Sequence, residues 1–133
     1  MILGVDPGER RFGIAIADPE TRFARPLEVV DASGTDPVAR IVELARQNAV
    51  TLIVVGKPLT LSGAEGHAVD AYRRFVDSLK EAGLAVEQFD ERLTSVIAEQ
   101  GLREAGVSSR DMKAKKDAVA AQILLQDYLD SRS

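Results

Sequence analysis

The sequence predicts an α/β domain built on a mixed five-stranded sheet, an antiparallel three-strand meander joined to two parallel strands, with helices on both faces. Three observations carry that expectation. The N-terminal third consists of short apolar runs separated by turn signals. The middle of the chain alternates segments of helical and strand periodicity. Residues 52–55 (LIVV) form an unbroken, largely β-branched run of the kind a sheet buries on both faces.

Residues 2–6 (ILGVD) read as a short buried strand and residues 12–17 (FGIAIA) as a second, with the Pro-Gly turn of DPGER between them. Residues 28–31, in LEVVD, supply the third strand of the meander. Asp36-Pro37 opens a helix, with proline at a tolerated first position and Val38, Ile41, Val42 and Ala45 as its apolar stripe. GKPLTLSGAEG follows the LIVV strand and is a loop. The next helix spans residues 65–81, with Val69, Tyr72, Phe75 or Val76, and Leu79 on one face. Residues 85–89 are a strand ended by DER. Thr94 or Ser95 caps a helix that carries Val96, Ile97 and Leu102 and stops near Gly106. Residues 113–130 form a closing helix. No internal repeat, linker or low-complexity tract interrupts this order, so one domain over residues 1–133 is expected.

Composition narrows the chemistry. The chain has 133 residues, 45% of them hydrophobic, and no apolar run of membrane-spanning length. It enters a strand directly with no signal-peptide pattern and contains no cysteine, which excludes disulfides and thiolate metal sites and suits the cytoplasm. A single histidine, His67 in a polar loop-to-helix junction, argues against a histidine-based zinc site and is read as solvated. Any metal would then be held by oxygen, which favours Mg2+ or Mn2+ over zinc. The formal net charge of −4 argues against nucleic-acid binding by bulk charge. Local basic clusters remain: Arg10-Arg11, Arg22 with Arg25, Arg73-Arg74, and Lys113 with Lys115-Lys116. Each of these, taken alone, fits a solvated face equally well.

The carboxylates carry the sharper signal. In sheets of this kind, function collects where strand ends converge. Asp6 ends the first strand, Gly56-Lys57-Pro58 the fourth and Asp90-Glu91 the fifth. Asp117 lies early in the last helix, in line with Ala121, Leu124 and Tyr128 on the face that packs on the sheet. An ionised carboxylate aimed there needs compensation, either a basic partner such as Lys116 or Arg11 or a shared divalent cation. It is also an acid near a helix N-terminus, where the dipole alone favours it. Asp6 is either such a ligand or a turn residue bonded to its own backbone. Asp90 and Glu91 are adjacent, so at most one of them faces a given site.

Three or four carboxylates meeting at one rim would hold one or two Mg2+ ions about 2.1 Å from each oxygen. Two ions about 4 Å apart can activate a water and stabilise the leaving oxygen of a phosphodiester. Arg10, Arg11 and Lys57 lie where they would hold backbone phosphates, with Arg92 and Lys116 adding to the basic set. Thr94 and Ser95 would donate hydroxyls to the same groups.

Four blocks, VDPGERRFGIAIAD, IVVGKPLTLSGAEG, FDERLTS and KKDAVAAQILLQDYL, resemble the signature blocks of the YqgF (RuvX) family, in that family's order and spacing. The resemblance implies an RNase H-like fold and a metal-dependent nuclease related to RuvC-type Holliday junction resolvases. By position, Asp6 matches the family's first catalytic acid and Asp117 its C-terminal-helix acid. The strand-four acid of the RuvC relatives has no counterpart at Val55-Gly56-Lys57, and the DER acids stand in for it, Glu91 favoured and Asp90 open. The implied role is maturation of the 5′ end of pre-16S rRNA in ribosome biogenesis. The alternative is resolution of branched DNA, for which symmetric cleavage requires a homodimer. No membrane partner is expected. An actin-like phosphate loop also begins with D-x-G, but such proteins enclose ATP between two domains and this chain has room for one. A non-catalytic nucleic-acid-binding domain is the third class.

Overall fold

The computed structural model describes residues 1–57, 67–90 and 109–132. Five strands and three helices lie among them: β1 (Ile2–Asp6), β2 (Arg11–Ala17), β3 (Ala24–Asp31), α1 (Pro37–Gln47), β4 (Leu52–Lys57), α2 (His67–Glu81), β5 (Val86–Asp90) and α3 (Ser109–Ser131). The sheet order is β3-β2-β1-β4-β5. β1 pairs antiparallel with β2 and β2 with β3, whereas β1–β4 and β4–β5 are parallel. This is the mixed sheet that the element order predicts. The loop expected over GKPLTLSGAEG and the helix expected after Thr94 fall wholly or largely outside the described residues.

Two elements are longer than their sequence patterns suggest. β3 starts at Ala24 rather than at residue 28, because Ala24, Arg25 and Pro26 pair with Ala17, Ile16 and Ala15 of β2. A register shift between Ile14 and Ala15 breaks the alternation there, and Pro26 is tolerated because β3 is an edge strand. The closing helix begins at Ser109, four residues ahead of the expected start.

Alternation along the strands builds two packed faces. On one, Leu3, Val5, Ile14, Ile16, Ile53 and Val55 meet Ile41 and Leu44 of α1 and Val76 and Leu79 of α2. On the other, Ala15, Ala17 and Val54 meet Ala121, Leu125, Tyr128 and Leu129 of α3. β4 reads as a continuous apolar run because Ile53 and Val55 serve the first face and Val54 the second. Gly4 on β1 and Gly13, Ala15 and Ala17 on β2 let α3 lie close to the strands. α1 starts where expected, with the Asp36 carboxylate accepting from the Val38 amide at 3.0 Å and Pro37 in the first turn. Among the described residues, no helix is long and apolar enough to cross a membrane.

Candidate active site at the carboxyl ends of the strands

The parallel run of β1, β4 and β5 brings their carboxyl ends to one edge of the sheet. Asp6 is the last residue of β1, paired across the ladder with Gly13 of β2. It falls on the same face as Gly4, whose neighbours are Leu125 and Ala121 of α3, so Asp6 stands on the α3 side of the sheet. Gly13 is the seat of α3 at this end. The backbone carbonyl of Asp117 lies so close to it that a Cβ built on Gly13 would stand 1.8 Å from that oxygen. One glycine therefore separates the strand acid from the helix acid.

Arg11 lies two residues before Gly13 on β2 and shares its face. Its Nε is 3.7 Å from Asp117 Oδ2, both side chains being about three-quarters or two-thirds covered, 25% and 33% exposed for Asp117 and Arg11. Of the two basic partners the sequence offers Asp117, the structure pairs it with Arg11. Lys116 is half-buried beside it on α3. Arg10 is exposed at the hairpin mouth, and its carbonyl accepts from the Ala32 amide at 2.7 Å. The neighbouring Asp31 carboxyl is held below its usual range chiefly by the Ser33 hydroxyl and amide, with the Arg10 and Arg11 charges adding to the effect.

Lys57 and Asp90 end β4 and β5 in register with each other. On β5, Phe89 and Glu87 meet Tyr128 of α3, Phe89 ring-to-ring and Glu87 as acceptor of the phenol. Alternation therefore sets Asp90, and with it Lys57, on the α1/α2 side, away from Asp6 and Asp117. Asp90 is exposed and Lys57 half-buried. Glu91, Arg92, Thr94 and Ser95 lie outside the described residues. So do the side chains of His67 and Lys113.

The donor chemistry of Asp6 and Asp117 fits a hard divalent cation: two carboxylates, from a central strand and a packed helix, on one face of the sheet. Among the described residues no group of three or more acidic, histidine or cysteine side chains is gathered for a metal. The contact that brings helix and strand together, Asp117 on Gly13, corresponds to none of the four sequence blocks' acidic or basic positions alone. Its signal is the small-residue alternation Gly13, Ala15, Ala17 on β2, which marks the face where a helix backbone comes close.

A family model described as RuvX, Holliday junction resolvase, matches residues 1–131. The chain belongs to the RuvX family. Among its relatives, proteins named "Putative pre-16S rRNA nuclease" from Chloroflexus aggregans and Chloroflexus aurantiacus are 50% and 48% identical to it. The alignments cover 98% and 99% of this chain and 94% and 88% of those proteins. The like-named protein of Anaeromyxobacter dehalogenans is 46% identical, covering 98% of this chain and 97% of its own. In three dimensions this RuvX-family chain is similar to T. thermophilus RuvC in complex with a Holliday junction substrate (TM-score 0.55, 19% identity, 98% and 94% of the two chains). It is similar to the fowlpox virus Holliday junction resolvase to the same degree (TM-score 0.55, 16% identity, 99% of each chain). These likenesses show the RNase H-like fold of the RuvC-type resolvases.

Proposed function

We propose that this RuvX-family chain is a Mg2+- or Mn2+-dependent endonuclease that hydrolyses phosphodiester bonds in structured nucleic acid, and that its substrate is the 5′ end of pre-16S rRNA. The observation that carries the reading is the approach of Asp117 to Gly13, across the ladder from Asp6. The names of relatives at 46–50% identity support the RNA substrate.

Asp6 and Asp117 hold the metal through their carboxylate oxygens. Glu91 is the third acid, since Asp90 stands on the other side of the sheet. A bound divalent ion supplies Lewis acidity and lowers the pKa of a water, and a two-ion arrangement would serve both the attacking and the leaving oxygen. The protein's own part is positional. Asp6 and Asp117 sit on a central strand and a packed helix, so they stay fixed while substrate binds. Arg11 compensates Asp117 and brings positive charge to the edge where a phosphate would lie. Arg10, Arg92 and Lys116 hold neighbouring phosphates, and Thr94 and Ser95 donate hydroxyls. Lys57 approaches from the other face of the same edge. Phosphate contacts of this kind fix register without reading sequence. Such local contacts suit a chain whose net charge is −4.

The second reading, Holliday junction resolution, is favoured by the family description. The metal chemistry treats both backbones alike, so the substrates are separated by how helix shape and the 2′-OH are read. The test offers purified protein and Mn2+ a 16S rRNA 5′ leader and a four-way DNA junction side by side, each with and without chelator. We expect chelator-sensitive cleavage of the RNA by a faster rate than the junction. Symmetric cutting of the junction by a dimer, with the RNA left intact, would reverse the order of the two readings.

A further inference from the structure

We infer that Gly13 is a positioning residue for Asp117, setting the spacing between the helix acid and the strand acid; the inference rests on the metal-dependent reading above. A Cβ at Gly13 would meet Asp117 O at 1.8 Å, Asp117 C at 2.4 Å and Ala118 N at 3.1 Å. All three are backbone atoms of α3, so no rotamer change relieves the overlap. Carbon–oxygen contacts settle near 3.3–3.6 Å, so any side chain at position 13 drives this turn of α3 off β2 by roughly 1.5 Å. Gly13 faces Asp6 across the ladder, so that movement also takes Asp117 away from Asp6.

The later turns of the same helix are held differently. A Cβ at Gly4 would meet Leu125 Cβ at 2.8 Å and Leu125 Cδ2 at 3.3 Å, with the Ala121 carbonyl no closer than 3.4 Å. Leu125 Cβ is fixed by the helix backbone, but its approach is 2.8 Å against 1.8 Å at Gly13, so the helix has less far to move there. Gln122 and Gln126 also hydrogen-bond the backbone of residues 22–24. A substitution at Gly13 therefore tilts the N-terminal half of α3, which bears the acid, while the later turns stay docked. Misplacing a catalytic group by about 1 Å costs on the order of 100-fold in rate.

The test compares Gly13→Ala with Gly4→Ala and places Asp117→Glu in the parent and in Gly13→Ala, since the added methylene restores about 1.5 Å of reach. Readouts are circular dichroism, the Mn2+ concentration giving half the metal-induced rise in melting temperature, and kcat and KM on the RNA leader. We expect Gly13→Ala to keep its secondary structure, to need at least about 10-fold more Mn2+ and to lose about 100-fold in kcat with KM little changed. Asp117→Glu weakens Mn2+ binding in the parent but strengthens it in Gly13→Ala. Gly4→Ala melts earlier with parental Mn2+ dependence. Parental Mn2+ dependence in Gly13→Ala, loss of its native dichroism, or equal damage by Asp117→Glu in both backgrounds would overturn the inference. A parent protein with no Mn2+ response at all would instead contradict the metal reading on which it rests.

Discussion

At Glu28, both carboxylate oxygens meet the Arg40 guanidinium, Oε2 at 2.7 Å from Nε and Oε1 at 2.6 Å from Nη2. The same guanidinium reaches Glu43 of α1 at 2.6 Å, so one arginine ties edge strand β3 to the first helix. The hydrogen bonds to Arg40, with its charge, outweigh the cost of burial and hold the Glu28 carboxyl below its usual range, while Glu28 raises the Arg40 guanidinium above its own. A carboxyl depressed in the folded state stabilises fully above its unfolded pKa, about 4.3, and loses that contribution as pH falls through the lower folded value. We therefore expect Glu28→Gln to cost about 1–2 kcal/mol at neutral pH, discounted for partial exposure. Urea denaturation should show the gap between parent and variant closing as pH falls below about 4. A gap that persists unchanged at low pH would mean that the charge of Glu28 is not what stabilises the contact.

α3 is the element on which the candidate site depends, and it is fastened at three levels. Asp117, in its N-terminal half, rests on Gly13. Ala121, Leu125, Tyr128 and Leu129 pack on the small-residue face of the sheet. The Gln126 side chain accepts from the Ala24 amide at 2.9 Å and donates to the Arg22 carbonyl at 3.0 Å, and Gln122 donates to the Ala24 carbonyl at 3.1 Å. These glutamines pair backbone groups of Arg22 and Ala24, at the entry to β3, as a neighbouring strand would. Arg22, at φ 61°, in turn donates to the Leu129 carbonyl. Replacing Gln126 with alanine removes two of these bonds, and we expect a loss of about 1–3 kcal/mol in chemical denaturation. Near its end, Tyr128 donates to Glu87 beneath the Arg132 guanidinium, which lies 4.9 Å from the ring centre. Burial first, and the Glu87 bond second, hold the phenol above its usual pKa. It therefore stays a donor throughout the neutral range.

Across the whole molecule, the sequence foretells the architecture where a pattern is local and loses it where a contact is not. The continuous LIVV run of β4 and the alternation of β1 and β2 predict a central sheet because burial on both faces leaves a direct trace in residue type. The first half of β3 leaves none: Arg25 and Pro26 are poor strand formers, and they pair only because an edge strand can carry a proline past a register shift. For the site, the helical spacing of residues 117, 121, 124 and 128 aims Asp117 at the sheet, and strand order puts Asp6 at its edge. The ambiguity between Asp90 and Glu91 turns on one residue of strand register, which spacing alone does not fix. The seat of Asp117 on Gly13 is a meeting of backbones 104 positions apart in the chain, and the small-residue alternation of β2 marks the face without naming the helix residue that meets it.

On the function proposed above, Asp6 and Asp117 act together on a metal that cuts nucleic acid. The most direct test is Asp6→Asn and Asp117→Asn, each assayed with Mn2+ for cleavage and for binding of the 16S rRNA 5′ leader. We expect each variant to lose at least about 100-fold in cleavage rate while binding the RNA as the parent does. Parental cleavage by both variants would contradict that function.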